Sequence, residues 1–533
     1  MCGIVGYIGT KPCRDTVFEG LKKLEYRGYD SAGVAVAKDS RVFLVKSEGK
    51  LSQLAPLLKD LPSDAVRGIG HTRWATHGAP TTPNAHPHVH GKFSIVHNGI
   101  IENYQELKEE LKKAGVEFQS ETDTEVILHL VAQEWDRIDS PNAALMAVIK
   151  RLEGAFSIGL MVADKEDRLY LVKQGSPLVI GIGEGENLFA SDALAIAAHT
   201  RRAIFLNDGE FAELTRSEVK VYDFEGKSCQ PIVRQLNIES SAAEKQGFRH
   251  FMLKEIYEQP RIIRRQSREL FDAHTLKFND AALGVDKIDW DKVDYIKIVA
   301  CGTAYYSGVL GKYFLEALTG INVDVELASE FRYREHYFNG NALMIPVSQS
   351  GETADTLACV KLGKEKGCQL LAVCNVDMSS IVRECQGFLK LNCGPEIGVA
   401  STKAFTSMLL SQCLLAYRIG QIKGRISADH IKDLAKSIGD LSAYADATID
   451  TADHIENLAR KYYEATNFLF LGRGYSFPLA LEGSLKLKEI SYIHAEGYAG
   501  GELKHGPIAL VDKHMQVVAI CPQDSHYEKM LSN

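Results

Sequence analysis

The 533 residues contain no C-x-x-C pair, and the eleven cysteines are scattered and odd in number. This argues against a disulfide framework and against a zinc ribbon. It fits a reducing compartment, so a cytoplasmic chain is expected. Long apolar runs are also missing: none approaches the ~20 residues a membrane helix needs. The opening residues lack the basic-plus-apolar pattern of a secretory leader. There is no basic excess either. Net charge is −8 and pI about 6.1, so no nucleic acid and no membrane is an expected partner. The histidines at 71, 77, 86, 88, 90 and 97 are spread without ligand spacing, so no metal is expected. What remains is ordinary globular composition, 45% hydrophobic and 24% charged, in a chain too long for one core and suited to about three domains.

What is present starts at the second residue. The chain opens Met1-Cys2-Gly3-Ile4-Val5-Gly6. Cys2 is small enough for Met1 to be removed, and the mature chain would then begin with a thiol and a free α-amine on one residue. That amine titrates near pH ~8, so it can serve as base for its own side chain or through one water. The bland alternative is a small residue that happens to follow Met.

Residues 2–238 read as many short strands with few helices. Strands are expected at 3–8, 34–37, 42–46, 93–98, 157–162, 168–173 and 178–182. Helices are expected at 15–23, 104–114 and 124–135, the last with Asp123 as N-cap. This mix predicts sheets layered with helices. Four polar clusters stand apart from the hydrophobic pattern: 27–33, 70–78, 97–103 and 121–125. A thiolate attacking a carboxamide needs a guanidinium for the α-carboxylate, a carboxylate for the α-ammonium and donors for the oxyanion. Arg73, Asp123, and the Asn98 side chain with the Gly99 amide can supply them. Each has a duller use: Asn98-Gly99 as a hairpin turn, Asp123 as a helix cap, Arg73 and Trp74 as a surface cation–π pair.

Together, Cys2-Gly3-Ile4-Val5-Gly6, Tyr26-Arg27-Gly28-Tyr29-Asp30-Ser31-Ala32-Gly33, Gly70-His71-Thr72-Arg73-Trp74-Ala75-Thr76-His77-Gly78 and His97-Asn98-Gly99 resemble the class II, N-terminal-cysteine glutamine amidotransferases. The resemblance implies an N-terminal nucleophile sandwich of αββα layers. It implies Cys2 as nucleophile and Asn98 and Gly99 as oxyanion hole. Arg73, Trp74, Thr76, His77, His86 and Asp123 would bind L-glutamine, which this half would split into glutamate and ammonia.

Residues 239–284 read as a joint. The stretch 248–260 mixes aromatics, charges and a proline, Pro260, that should stop a helix, although an amphipathic linker helix is the plain alternative. From about 285 the pattern changes to strand–loop–helix alternation, which implies parallel sheets. Strands are expected at 295–300, 342–347 and 369–374, in a first module at 285–430. A strand at 468–471 and a helix at 478–490 repeat the first unit and open a second module at 455–533. The turn Ser348-Gln349-Ser350-Gly351-Glu352-Thr353 lies between strand and helix, where backbone amides and the helix dipole favour phosphate. It lacks the Gly-Lys-Ser/Thr ending of a nucleotide loop. In the second module Lys486 and Glu489 share a helical face, whereas Glu482 and Lys486 could be a surface salt bridge. An aldose–ketose isomerisation needs a base between C1 and C2 and an acid to open the ring. Glu489 and His505 are the candidates, although a histidine before Gly-Pro can be structural.

These segments resemble the SIS phosphosugar isomerase domain, which implies two flavodoxin-like α/β parallel-sheet modules working without cofactor. By that resemblance Thr303, Ser348, Gln349, Ser350, Thr353, Ala400 and Ser401 bind sugar phosphate. Glu489, His505 and Lys486 serve isomerisation, with Lys504 a further candidate. An amidotransferase fused to paired sugar modules implies transfer of the glutamine amide nitrogen to D-fructose 6-phosphate, and a homodimer through the SIS domains. Ala304 departs from the serine often found after Cys-Gly-Thr. Only one strand and part of a helix follow Pro507, so the second module is expected to be incomplete and synthase activity of the chain as written doubtful. Two rivals are a different N-terminal-cysteine amidotransferase and a sugar-phosphate-binding regulator. The first needs an acidic nucleotide-sugar loop where Ser348-Gln349-Ser350 stands, and the second leaves Cys2, Arg73 and Asp123 unused.

Overall fold

A computed structural model of the chain describes residues 2–25, 28–75, 77–138, 140–165, 167–236, 245–336 and 341–533. The chain divides into two units, Met1–Glu244 and Lys245–Asn533.

In the first unit, period-2 alternation builds two antiparallel sheets. Along the strand Gly3–Ile8, Val5 and Tyr7 point to one face and Ile4 and Ile8 to the other. Val5 and Tyr7 pack with Val17 and Leu21 of the helix Cys13–Leu24. Ile4 and Ile8 share a core with Val96, Met161 and Leu171 of the second sheet. The first sheet orders Val233–Gln235, Arg202–Phe205, Val179–Ile182, Asn187–Ala190, Gly3–Ile8, Arg67–Arg73, Ser31–Lys38 and Arg41–Glu48. The second orders Ser228–Cys229, Val219–Asp223, Glu210–Leu214, Leu169–Gln174, Gly154–Val162, Phe93–Ile101 and His88–His90. Its outer face is covered by the helices Tyr104–Lys113, Thr124–Arg137 and Pro141–Ile149, through Leu107, Leu111, Ile127, Val131 and Leu145. The layers therefore run helix, sheet, sheet, helix.

One central strand, Arg67–Arg73, has no apolar pattern, yet all seven residues are buried. Its neighbours explain this. The Arg67 guanidinium donates to the carbonyls of Val162, Ala163 and Arg168 at 3.0–3.1 Å, so a buried charge finds acceptors from the other sheet. The polar cluster 70–78 thus begins as a strand, not as a loop.

In the second unit the helix Phe251–Leu270 runs straight through Pro260. This corrects the expected stop. The amide that Pro260 lacks would have bonded Ile256, and Gln259 Nε2 donates to the Ile256 carbonyl instead, at 3.2 Å. A five-stranded parallel sheet follows, ordered Asn322–Leu327, Tyr295–Ala300, Ala342–Ser348, Gln369–Cys374 and Gly387–Lys390. The helix Gly302–Thr319 packs on it, and the helix Lys403–Ile422 packs in turn on that helix. After the helices Ala428–Ile449 and Ala452–Tyr462 comes a parallel three-stranded sheet, His494–Ala499, Asn467–Gly472 and Gln516–Ala519, with the helix Ser476–Ser491 against it. Among the described residues no helix is long and apolar enough to cross a membrane.

Candidate functional site

The register Gly3↔Thr72 and Ser31↔Arg73 brings Cys2, Asp30 and Arg73 to one end of the first sheet. Cys2 Sγ accepts the Trp74 N–H at 3.2 Å and faces the Trp74 carbonyl at 3.4 Å. Burial pushes the Cys2 thiol above its ordinary range, opposed by the Trp74 backbone bond. Asp30 Oδ2 accepts the Ala75 N–H at 2.9 Å, which fixes the chain just after Trp74. The Trp74 ring stands edge-on to Tyr29 at 5.5 Å. Gly28 lets that turn close: a Cβ there would lie 2.6 Å from the Trp74 nitrogen.

The second sheet delivers Asn98. Its Nδ2 donates to the Cys2 carbonyl at 3.0 Å. Asn98 and Gly99 lie inside the strand Phe93–Ile101, paired with Ser157 and Phe156, so they are not a hairpin turn. Gly99 has φ +125°, and a Cβ would fall 1.9 Å from the Ala155 carbonyl oxygen, so this backbone demands glycine. Asn98 Oδ1 is met by His71 Nε2 at 3.0 Å, and the same nitrogen meets the His97 carbonyl at 3.1 Å. Burial holds the His71 imidazole down at about 3.

Asp123 precedes the helix Thr124–Arg137, but its side chain makes no capping bond. Its Oδ2 accepts the Ile101 N–H at 2.9 Å instead. Arg73 donates to the carbonyls of Ala79, Gly78 and His77, pinning the segment 77–79, and burial lowers its pKa against the pull of Cys2 and Asp123. The segment is tied again where Asn84 Nδ2 bridges Ala79 and Glu121. His77 stands edge-on to Tyr104 at 5.4 Å. His86 is buried between the rings of His71 at 4.2 Å and His88 at 4.8 Å. Thr76, with Tyr26 and Arg27, lies outside the described residues.

The second unit holds the other cluster. Ser348 Oγ accepts the Gly351 N–H at 2.9 Å and meets Thr353 Oγ1 at 3.4 Å. Ser350 Oγ accepts the Glu352 N–H at 3.2 Å, and Gln349 bonds through its carbonyl to the Asn375 amide. Gly351, at φ +67°, allows this turn to lie on Ser379. The turn leads into the helix Ala354–Glu365, whose amino end carries free donors and a positive dipole end. Glu396 organises the loop that carries Ala400 and Ser401, accepting from Ser401 Oγ and Thr402 N–H at 2.8 Å.

Thr303, Glu482, Lys486 and Glu489 form one network. Thr303 Oγ1 donates to Glu482 at 3.0 Å and receives Lys486 Nζ at 3.0 Å. Lys486 also contacts Glu489 at 2.5 Å and Glu482 at 3.3 Å. Glu482 is buried, and burial raises its carboxyl despite Lys486. It is therefore no surface salt bridge, and the spacing 482, 486, 489 was the signal for it. His505 ends the short turn Glu502–His505; it and Lys504 are exposed and outside this network. Among the described residues no group of three or more His, Cys, Asp or Glu side chains is gathered to hold a metal.

Two family models match the chain: a glutamine amidotransferase domain over residues 71–198 and a SIS domain over 291–418 and 461–533. A glutamine–fructose-6-phosphate aminotransferase (isomerizing) from Haemophilus influenzae is 47% identical over 535 residues, covering all of this chain and 88% of that protein. The protein of the same name from Aquifex aeolicus is 47% identical over 541 residues, covering all of this chain and 87% of that one. Among solved structures, the C-terminal domain of glucosamine-fructose-6-phosphate aminotransferase from Francisella tularensis matches 54% of this chain and 80% of its own, with 40% identity and a TM-score of 0.52. The chain belongs to the glutamine–fructose-6-phosphate aminotransferase (isomerizing) family.

Proposed function

We propose that this enzyme transfers the amide nitrogen of L-glutamine to D-fructose 6-phosphate and isomerises the product to D-glucosamine 6-phosphate. The observation that carries this is similarity over the whole of this chain, and over 87–88% of the relatives, to aminotransferases of that name, supported by Cys2 lying against the Asn98 carboxamide. The glutamine step falls to residues 2–238 and the sugar step to 285–430 and 455–533, joined by 239–284.

Once Met1 is removed, the Cys2 amine takes the thiol proton and Sγ attacks the glutamine carboxamide carbon. Asn98 Nδ2 and the Gly99 amide meet the oxyanion as it forms. Arg73 holds the α-carboxylate and Asp123 the α-ammonium, within a pocket of Trp74, Thr76, His77 and His86. The tetrahedral carbon expels ammonia and leaves a thioester, which water cleaves to glutamate. In the sugar half the turn Ser348–Thr353, with Thr303, Ala400 and Ser401, holds the phosphosugar. His505 opens the ring. Ammonia condenses with the C2 carbonyl, whose oxygen leaves as one water, balancing the one that thioester hydrolysis consumes. Glu489 takes a proton from C1 and returns it at C2, with Lys486 beside it to stabilise the charge. We read the enzyme as cytoplasmic and homodimeric through its SIS modules; the eleven free cysteines support the compartment.

The test is intact mass together with glutamate release, with and without fructose 6-phosphate. Loss of Met1, release abolished by Cys2→Ala, and glucosamine 6-phosphate formation support the reading. Release unaffected by Cys2→Ala sinks it.

A further inference from the structure

We propose that His71 is a positioning residue that sets the orientation of the Asn98 carboxamide, and through it the oxyanion hole at Cys2. The inference rests on the glutaminase reading above and adds a member to its machinery.

His71 Nε2 faces the His97 carbonyl at 3.1 Å and Asn98 Oδ1 at 3.0 Å. A backbone carbonyl can only accept, so Nε2 must carry the ring proton. An N–H at that position requires the Asn98 atom facing it to be the oxygen. The Asn98 amide nitrogen is then turned the other way, toward Cys2, where it reaches the Cys2 carbonyl at 3.0 Å. Flipping the carboxamide would set NH₂ against N–H on one side and oxygen against a carbonyl on the other. The His71 tautomer therefore decides which end of Asn98 is offered to the reacting carbon.

The rest of the imidazole fits this part. His71 is fully buried, and its Nδ1 has no hydrogen-bond partner, so a proton there would be an unpaired buried donor. Its ring lies against His86 at 4.2 Å, and His86 against His88 at 4.8 Å, so it has no room to turn over. Its place is fixed by the strand pairing Ile4↔His71 and Gly33↔His71. A neutral ring also keeps a full positive charge from competing with Arg73 for the substrate.

The experiment is a double-mutant cycle on glutamine hydrolysis using His71→Leu, Asn98→Ala and the pair. Asn98→Ala alone is expected to lower kcat about 10²–10³-fold, the usual loss of one oxyanion donor. His71→Leu is expected to lower kcat about 10-fold or more with KM for glutamine within about 2-fold. The pair should be no worse than Asn98→Ala, because His71 then has nothing left to orient. His71→Gln, which keeps an N–H donor, should recover most of the rate. Losses that multiply in the pair, or a His71→Leu effect confined to KM, overturn the positioning role. A normal kcat in Asn98→Ala overturns the oxyanion reading itself, which is a different failure. If His71→Leu does not fold, ¹⁵N shifts of histidine-labelled wild type decide: protonated Nε2 on His71 supports the proposal, and protonated Nδ1 overturns it.

Discussion

Gln259 Nε2 donates to the Ile256 carbonyl at 3.2 Å, supplying the bond that Pro260 cannot make. The same side chain accepts Thr406 Oγ1 through its oxygen, so it ties the proline turn to the neighbouring helix Lys403–Ile422. Gln259→Leu removes both bonds while keeping most of the volume. A cost of about 1–2 kcal/mol is expected from two lost bonds. Thermal unfolding should show the second unit's midpoint falling by a few degrees, with Cys2-dependent glutaminase unchanged. An unchanged midpoint would mean the helix tolerates Pro260 unaided.

The His71, His86 and His88 rings give the first unit a distinct pH dependence. Burial holds His71 and His88 down at about 3, and His86 well below its ordinary value. An unfolded histidine titrates near 6.5, so below that pH the unfolded chain binds protons that the folded unit refuses. Stability is complete above about pH 6.5 and declines toward 3, by up to about 4 kcal/mol per pH unit for three sites. Glu125 loses its contribution as pH falls from about 4.5 to 2, overlapping the lower part of the histidine window. Burial would raise it, but donors from His129, Gln119 and Ser120 hold it at about 2. Urea midpoints at pH 7, 6 and 5 test this, and a flat series would show that the rings take up protons in place.

Asp123 separates a helix cap from a ligand-binding carboxylate. Its oxygen accepts the Ile101 amide, and Asp123→Asn keeps an oxygen for that bond while removing the charge. The fold should hold, with little change in midpoint. KM for glutamine should rise about 10-fold or more, as expected for losing a charge-assisted bond to an ammonium. A lowered midpoint with unchanged KM would return Asp123 to a purely structural part.

The contrast between Asp123 and Arg67 marks how far the sequence was legible. Cys2, Arg73, Asn98 and Asp123 could be picked out because their chemistry is local: each is a polar group in a stretch that packing does not explain. The alternating strands 34–37 and 157–162 and the helix at 124–135 were legible for the same reason, periodicity being a property of neighbours. The strand Arg67–Arg73 was not, because what lets its charge be buried is a set of carbonyls nearly a hundred residues away. Pro260 misled because its remedy is a side chain one position earlier. Glu482 looked like a surface partner of Lys486 because burial depends on Thr303, from a helix 179 residues away in sequence. His71 stood inside a motif, but its part depends on which atoms of Asn98 and His97 surround it.

Glu255, on the helix Phe251–Leu270, supports the loop that carries Ala400 and Ser401. The residue is only 2% exposed. Oε1 accepts the Ile397 and Gly398 amides at 2.5 and 3.1 Å, and Oε2 the Gly398 amide at 3.0 Å. The helix Phe251–Leu270 thus holds the start of this loop, while Glu396 holds its end. Glu255→Ala strips two amides of their acceptor, at about 1–3 kcal/mol for a buried group. Fructose 6-phosphate binding should weaken about 10-fold as the loop loosens. Glu255→Gln keeps one acceptor oxygen and should bind nearly as wild type. The two variants also differ in pH response. Burial, with Glu396 nearby, pushes the Glu255 carboxyl up to about 7 against the Ile397 amide. A raised pKa means the folded state holds the proton more tightly, so this stabilisation is full below about 4.5 and is lost as pH rises through 7. Glu255→Gln should remove that slope. Calorimetric titration with fructose 6-phosphate reads the binding effect, and thermal midpoints at pH 5, 6 and 8 read the slope. Equal affinity in Glu255→Ala and wild type would show that the loop is held without Glu255.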